Sequence, residues 1–153
     1  TIYGPTTNLM GKVGVIAFNV EGMNNALVAA ILSAEGAIGI RNGCFCAHPY
    51  VKRLLKISLE DDIRLTQEMV NGNKANMPGM ARASLGCYNN EQDVDMFVEM
   101  LEKIVRKEYK GEYIMEPRTG AYTATDFNID VENCFSFEHS FSEHREESFS
   151  EAS

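Results

Sequence analysis

The stretch Arg41-Asn42-Gly43-Cys44-Phe45-Cys46-Ala47-His48-Pro49 gathers a guanidinium, two thiols and an imidazole within nine residues. A cysteine acts as a nucleophile through its thiolate, and a helix N-terminus or a neighbouring cation favours that form. Arg41, His48 and a helix opening near Pro49 are such neighbours, and Gly43 gives the loop freedom to bring a thiol to a substrate. The spacing leaves a second reading open, in which Cys44 and Cys46 are small buried apolar side chains. A zinc set drawn from Cys44, Cys46, His48 and Cys87 is disfavoured. C-x-C is not the usual knuckle interval and no C-x-x-C accompanies it, so no metal is expected. A Cys44–Cys46 disulfide would close a very small, strained ring.

A second cluster is Pro78-Gly79-Met80-Ala81-Arg82-Ala83-Ser84-Leu85. Arg82 stands in the middle of an apolar strand, where a charge is costly to bury without a partner. Its partner is either an acid of this chain or a bound carboxylate, which the planar guanidinium fork suits.

The surrounding elements follow from periodicity and punctuation. Val13–Val20 is apolar on both faces and reads as an interior strand. Asn24 or Asn25 caps a helix whose stripe is Leu27, Val28, Ile31 and Leu32, with Gly36 suited to the left-handed position at its end. Ile38–Arg41 reads as a second strand leading into the cysteine loop. Tyr50–Leu55 and Leu59–Val70 read as helices, the latter with Glu60, Asp61 and Asp62 in its first turn. Met80–Leu85 reads as a third strand. Asn89 or Asn90 then caps the clearest helix, whose buried stripe is Val94, Phe97, Val98, Leu101, Ile104 and Val105. The predicted architecture is α/β: a two-layer sandwich of a three-stranded sheet with helices packed on it, followed by an irregular acidic C-terminal tail.

Charge divides the chain in the same way. Residues 1–110 carry 12 basic and 12 acidic side chains, whereas residues 111–153 carry two basic (Arg118, Arg145) and ten acidic, which accounts for the net charge of −8. A neutral body with an acidic extension argues against nucleic-acid or anionic-membrane partners, which need clustered Lys and Arg. No apolar run reaches the roughly 18 residues of a membrane span. Four cysteines (Cys44, Cys46, Cys87, Cys134) without a visible secretory signal point to a reducing, cytoplasmic compartment. The chain opens on Thr1 and enters a strand-like segment almost at once, so it is expected to be a piece of a longer protein.

Together the two clusters resemble a known family. R-x-G-x-x-C-A (Arg41 to Ala47), then R-x-S-x-x-x-Y-N (Arg82 to Asn89), then an amphipathic helix with an acidic start, are similar to the C-terminal small domain of class V aminotransferases. These are pyridoxal-phosphate enzymes of fold type I. The resemblance runs from Val13 to about Lys107 and is strongest to the cysteine desulfurase and selenocysteine lyase branch. The G-C-F-C wording also resembles the desulfurase-like domain of molybdenum cofactor sulfurases.

The resemblance implies that Cys46 takes sulfur from a small amino-acid substrate and holds it as a persulfide. It implies that Arg82 binds the substrate carboxylate and that Arg41 lies at the site rim. Cys44 stands where relatives often carry His, which makes it the second, less favoured thiol, with His48 a nearby imidazole. Residues 50–77 form a longer stretch than in the simplest desulfurases. None of the seven lysines has the setting of a cofactor-anchoring lysine. The expectation is therefore a small domain over residues 1–110 and an acidic, partly disordered extension over 111–153. Pyridoxal phosphate would be bound by a large domain elsewhere, and the isolated piece would be inactive. A homodimer and a sulfur-acceptor protein are the implied partners of the intact enzyme. Two rivals stand: an aminotransferase, epimerase or lyase of the same family with incidental thiols, and a non-catalytic module that binds a metal or partner.

Overall fold

Alternation in Met80-Ala81-Arg82-Ala83-Ser84 divides this strand between two environments, and the sheet is built around that division. The computed structural model describes residues 1–8 and 10–126. Its elements are β1 (Ile2–Tyr3), β2 (Val15–Phe18), α1 (Asn25–Gly36), β3 (Arg41–Gly43), α2 (His48–Leu54), α3 (Leu59–Val70), β4 (Met80–Ser84), α4 (Glu91–Arg106), β5 (Tyr113–Glu116) and β6 (Ala121–Ala124). The main sheet has the order β1-β2-β4-β3 with every neighbouring pair antiparallel. It is the expected sandwich with one strand more, because two-residue β1 is too short to leave a pattern in the sequence.

One face of the sheet is closed by α1 and α4. Phe18, Ala81 and Ala83 meet Val28, Ile31, Leu32, Met100 and Ile104 there, and Phe18 also packs edge-on against Phe97. The small alanines of β4 let the helices approach closely. Fully burying Ile31, Leu32 or Ile104 each contributes about 1.5–3 kcal/mol. Capping fixes where these helices start: the Asn24 side chain accepts from the Ala26 N–H, and Asn90 and Asp93 form a reciprocal capping box at α4.

The end of α1 departs from expectation. The left-handed residue is Ala37 (φ 52°), and Gly36 remains inside the helix. A Cβ on Gly36 would lie 3.0 Å from Met100 Cγ and 3.1 Å from Ile38 Cδ1, so close packing selects this glycine. The strand expected over Ile38–Arg41 begins only at Arg41, where pairing with β4 starts at Arg41↔Arg82, although Ile38 and Ile40 do face the helix-covered core.

The first part of the acidic extension is not irregular. β5 and β6 pair in register from Tyr113↔Ala124 to Glu116↔Ala121. The Glu35 carboxylate ties this hairpin to α1 by accepting from the Lys110 and Gly111 N–H groups and the Tyr113 hydroxyl. At the other end, the Lys74 N–H donates to the Pro117 carbonyl (2.7 Å). Alternating half-buried Tyr113, Met115, Tyr122 and Ala124 are the pattern of a strand pair, masked in sequence by its shortness. The rest of the tail, with Cys134, lies outside the described residues.

Burial alone would raise the Glu35 pKa, but the Gly111, Lys110 and Tyr113 donors outweigh it and hold the carboxyl below the ordinary value of 4.5. A lowered folded-state pKa means that the contribution is present at neutral pH and is lost as pH falls through that region. Glu35→Gln is expected to cost at most about 1 kcal/mol at pH 7, given the exposure of the site. The protection of the Lys110 and Gly111 amides against exchange, taken relative to the intrinsic rate at each pH, should fall in this variant, and in the parent chain on acidification below about pH 4.5.

Candidate active site

Strand register places one row of side chains across the face of the sheet that α1 and α4 leave open. Tyr3 pairs with Ala17, Ala17 with Arg82, and Arg82 with Arg41. Directly opposed residues of antiparallel strands share a face, so these four lie side by side. Tyr3 and Ala17 also pack against the cluster of Cys44, Val51 and Met80, so this end of the row is covered by α2 and the Arg82 end adjoins exposed Arg41.

Two guanidiniums opposed across a strand pair repel each other unless an anion intervenes. Neither has an acidic partner: the ion pairs among the described residues are Lys52–Asp62, Arg64 with Asp61 and Glu68, Lys103–Glu99 and Arg106–Glu102. Arg82 is half-buried and its Nε is buried without a hydrogen-bond partner. An orphaned charged donor of this kind fits a bound carboxylate. The Phe45 ring lies beneath it, with the guanidinium carbon 5.0 Å from the ring centroid.

The cysteine loop leaves β3 through a tight turn. Phe45 (φ 53°) and Cys46 (φ 60°) are both left-handed, and the Ala47 N–H donates to the Cys44 carbonyl at 2.7 Å. Positive φ at both central residues is the type I′ pattern, which usually takes Asn and Gly. Each non-glycine here costs roughly 1–2 kcal/mol. Strain of this sort persists where the surroundings over-determine it. The surroundings do so through two glycines: a Cβ on Gly79 would lie 2.6 Å from Gly43 Cα, so Gly79 must be glycine for the loop to seat against it, and Gly43 is held at φ 97°, a backbone conformation that favours glycine.

The two thiols emerge in opposite environments. Cys44 is 7% exposed and its thiol donates to the Pro78 carbonyl at 3.1 Å. Burial pushes its pKa up, only partly offset by the Lys52 charge. Cys46 is exposed and its sulfur is free. His48 opens α2 and shares with Cys44 a small cavity of about 180 Å³ that runs back under the hairpin turn at Thr119 and Gly120. Cys87 is exposed in the turn before α4. Among the described residues no three His, Cys, Asp or Glu side chains could hold a metal ion, and no helix is long and apolar enough to cross a membrane. Iodoacetamide at neutral pH is therefore expected to label Cys46 at least about tenfold faster than Cys44. Peptide mass spectrometry after a timed pulse reads this ratio directly.

These residues do not fit a cofactor anchor. Lys12, Lys52 and Lys103 are engaged by the Pro5 carbonyl, Asp62 and Glu99. Lys56, Lys74, Lys107 and Lys110 are exposed, and no lysine stands in the row of Arg82.

The fold is the α/β sandwich expected from the sequence, with Arg82 on β4 and the cysteine turn beside it. The sequence model of the family described as aminotransferase class-V matches residues 1–97, and the chain belongs to this family. It is similar to a probable cysteine desulfurase of Halalkalibacterium halodurans, with 34% identity over 72% of this chain and 20% of that protein. A probable cysteine desulfurase of Pyrococcus abyssi is 35% identical over 68% of this chain and 20% of its own length. A cysteine desulfurase of Yersinia pestis is 33% identical over 68% and 19%. The chain thus spans about a fifth of the length of the curated relatives that it matches.

Register brings Arg41 and Arg82 together and sets the Cys44–Cys46 turn against Arg82 through Phe45. Sequence reasoning missed Tyr3, Ala17 and Phe45. The signal for Phe45 was present, a bulky aromatic between two cysteines in a turn that disfavours it; for Tyr3 and Ala17 only the register reveals the row.

Proposed function

We propose that this chain is the substrate-binding small domain of a pyridoxal-phosphate-dependent cysteine desulfurase. The observation that carries the reading is the unpaired, half-buried Arg82 with the cysteine turn held against it. The Arg82 guanidinium receives the α-carboxylate of a small amino acid, and Arg41 at the exposed end of the row adds positive potential. Cys46, on the exposed side of the turn, presents its thiolate to the substrate sulfur. A sulfur–sulfur bond forms while the carbon–sulfur bond breaks, and its electron pair leaves with the carbon fragment, which gains a proton and departs as alanine. Pyridoxal phosphate, held outside these residues, supplies the electron sink for that fragment. Cys44, buried and hydrogen-bonded, keeps the turn in place.

The intact enzyme would be a cytoplasmic homodimer that passes the persulfide sulfur to an acceptor protein. The sequence similarity to proteins named cysteine desulfurase, over about two-thirds of this chain, supports this reading over an aminotransferase with incidental thiols. The test is the intact protein given L-cysteine, with alanine and sulfide measured after reduction. Equal amounts of both are expected. Transamination without sulfide would favour the family's other chemistry.

A further inference from the structure

We infer that Phe45 is a positioning residue for Arg82, so that the thiol-bearing turn also sets the geometry of the carboxylate site. The inference rests on the desulfurase reading of that site. Phe45 is a bulky residue at φ 53°, in a turn whose central positions favour Asn or Gly. A large side chain there is a conformational outlier and needs a compensating contact. That contact is the Arg82 guanidinium, 5.0 Å from the ring centroid. The guanidinium's other neighbours supply no orientation: Ala17 is too small, Arg41 repels it, and its Nε has no hydrogen-bond acceptor. Among the described residues, the Phe45 ring is therefore the attractive contact that holds the Arg82 fork before a carboxylate arrives. Phe45 is also the direct chain neighbour of Cys46, so the surface that orients the substrate's carboxylate and the thiol that meets its sulfur are fixed by one turn.

Apolar packing alone would give Phe45 a different signature, since it also borders the cluster of Cys44, Val51 and Met80. The two roles separate in the intact enzyme. Phe45→Leu keeps apolar volume and removes the aromatic face, whereas Phe45→Tyr keeps the face. Phe45→Leu is expected to raise KM for L-cysteine about three- to thirty-fold, with kcat changed less than about twofold. By calorimetry it should weaken L-alanine binding by the same factor, and Phe45→Tyr should restore both. Circular dichroism checks folding, and Phe45→Met replaces the leucine variant if that one fails to fold.

Unchanged KM and alanine affinity in the leucine or methionine variant would overturn the inference. So would a tyrosine variant as impaired as the leucine one, which would mark a packing role. Arg82→Ala run alongside separates the two levels. If it leaves KM unchanged, the reading of the site itself fails; if it raises KM while the aliphatic variants do not, only the role of Phe45 fails.

Discussion

Cys46→Ala in the intact protein is expected to lower sulfide release from L-cysteine by at least about 10³-fold, because the thiolate is the group that forms the new bond. The exposed sulfur makes no disulfide or hydrogen bond among the described residues, so the variant should fold and unfold like the parent. Cys44→Ala separates the two thiols. Cys44 is buried against the Pro78 carbonyl, and its removal should cost stability, about 1 kcal/mol, while most of the activity remains. The opposite pattern, activity lost at Cys44 and kept at Cys46, would reverse the assignment. Enzymatic assay together with urea denaturation of both variants decides it.

Arg82→Ala is expected to reduce kcat/KM for L-cysteine by about 10²- to 10³-fold, the cost of losing a charged, bidentate carboxylate contact in a half-buried setting. Arg82→Lys should recover only part of this, since an ammonium keeps the charge and loses the fork. Stability should move little, because the lost contact with the Phe45 ring offsets what removal of an unpaired charge gains. The unpaired guanidinium is costly to hold in an apolar strand, and its removal relieves the repulsion with Arg41. A variant that loses stability by several kcal/mol while keeping its kinetics would mean that Arg82 is a structural residue. Kinetic constants and unfolding midpoints on one preparation test both halves.

Much of this was legible in the sequence because local signals agreed with the final packing. In α4, the Asn90 cap, early acids and late basic residues all point one way, and the helix runs from Glu91 to Arg106. Of the expected stripe Phe97, Leu101 and Ile104 face the core, whereas Val94, Val98 and Val105 are exposed and Met100, not expected there, is buried against α1. Arg82 stood out because a charge is costly in an apolar strand, and Cys46 because its motif resembles the cysteine motif of the family. Long-range register was not legible. Nothing near Tyr3 or Ala17 announces that they lie beside Arg82; β2–β4 pairing decides it, across more than sixty residues of chain. Gly36 misled because a glycine near a helix end serves either backbone conformation or close packing, and here Met100 selects the second. The hairpin at Tyr113–Ala124 was hidden by strands of four residues each, whose stability comes from Glu35 and α1 rather than from their own composition.

The most direct measurement is the site of sulfur on the intact protein after a brief exposure to L-cysteine, read by mass spectrometry of alkylated peptides without reduction. One additional sulfur atom on the peptide sulfur of Cys46, absent in Arg82→Ala at the same substrate concentration, is the expected result. Added sulfur on Cys44 or Cys87 instead, or equal labelling of Cys46 with and without the Arg82 guanidinium, would contradict it.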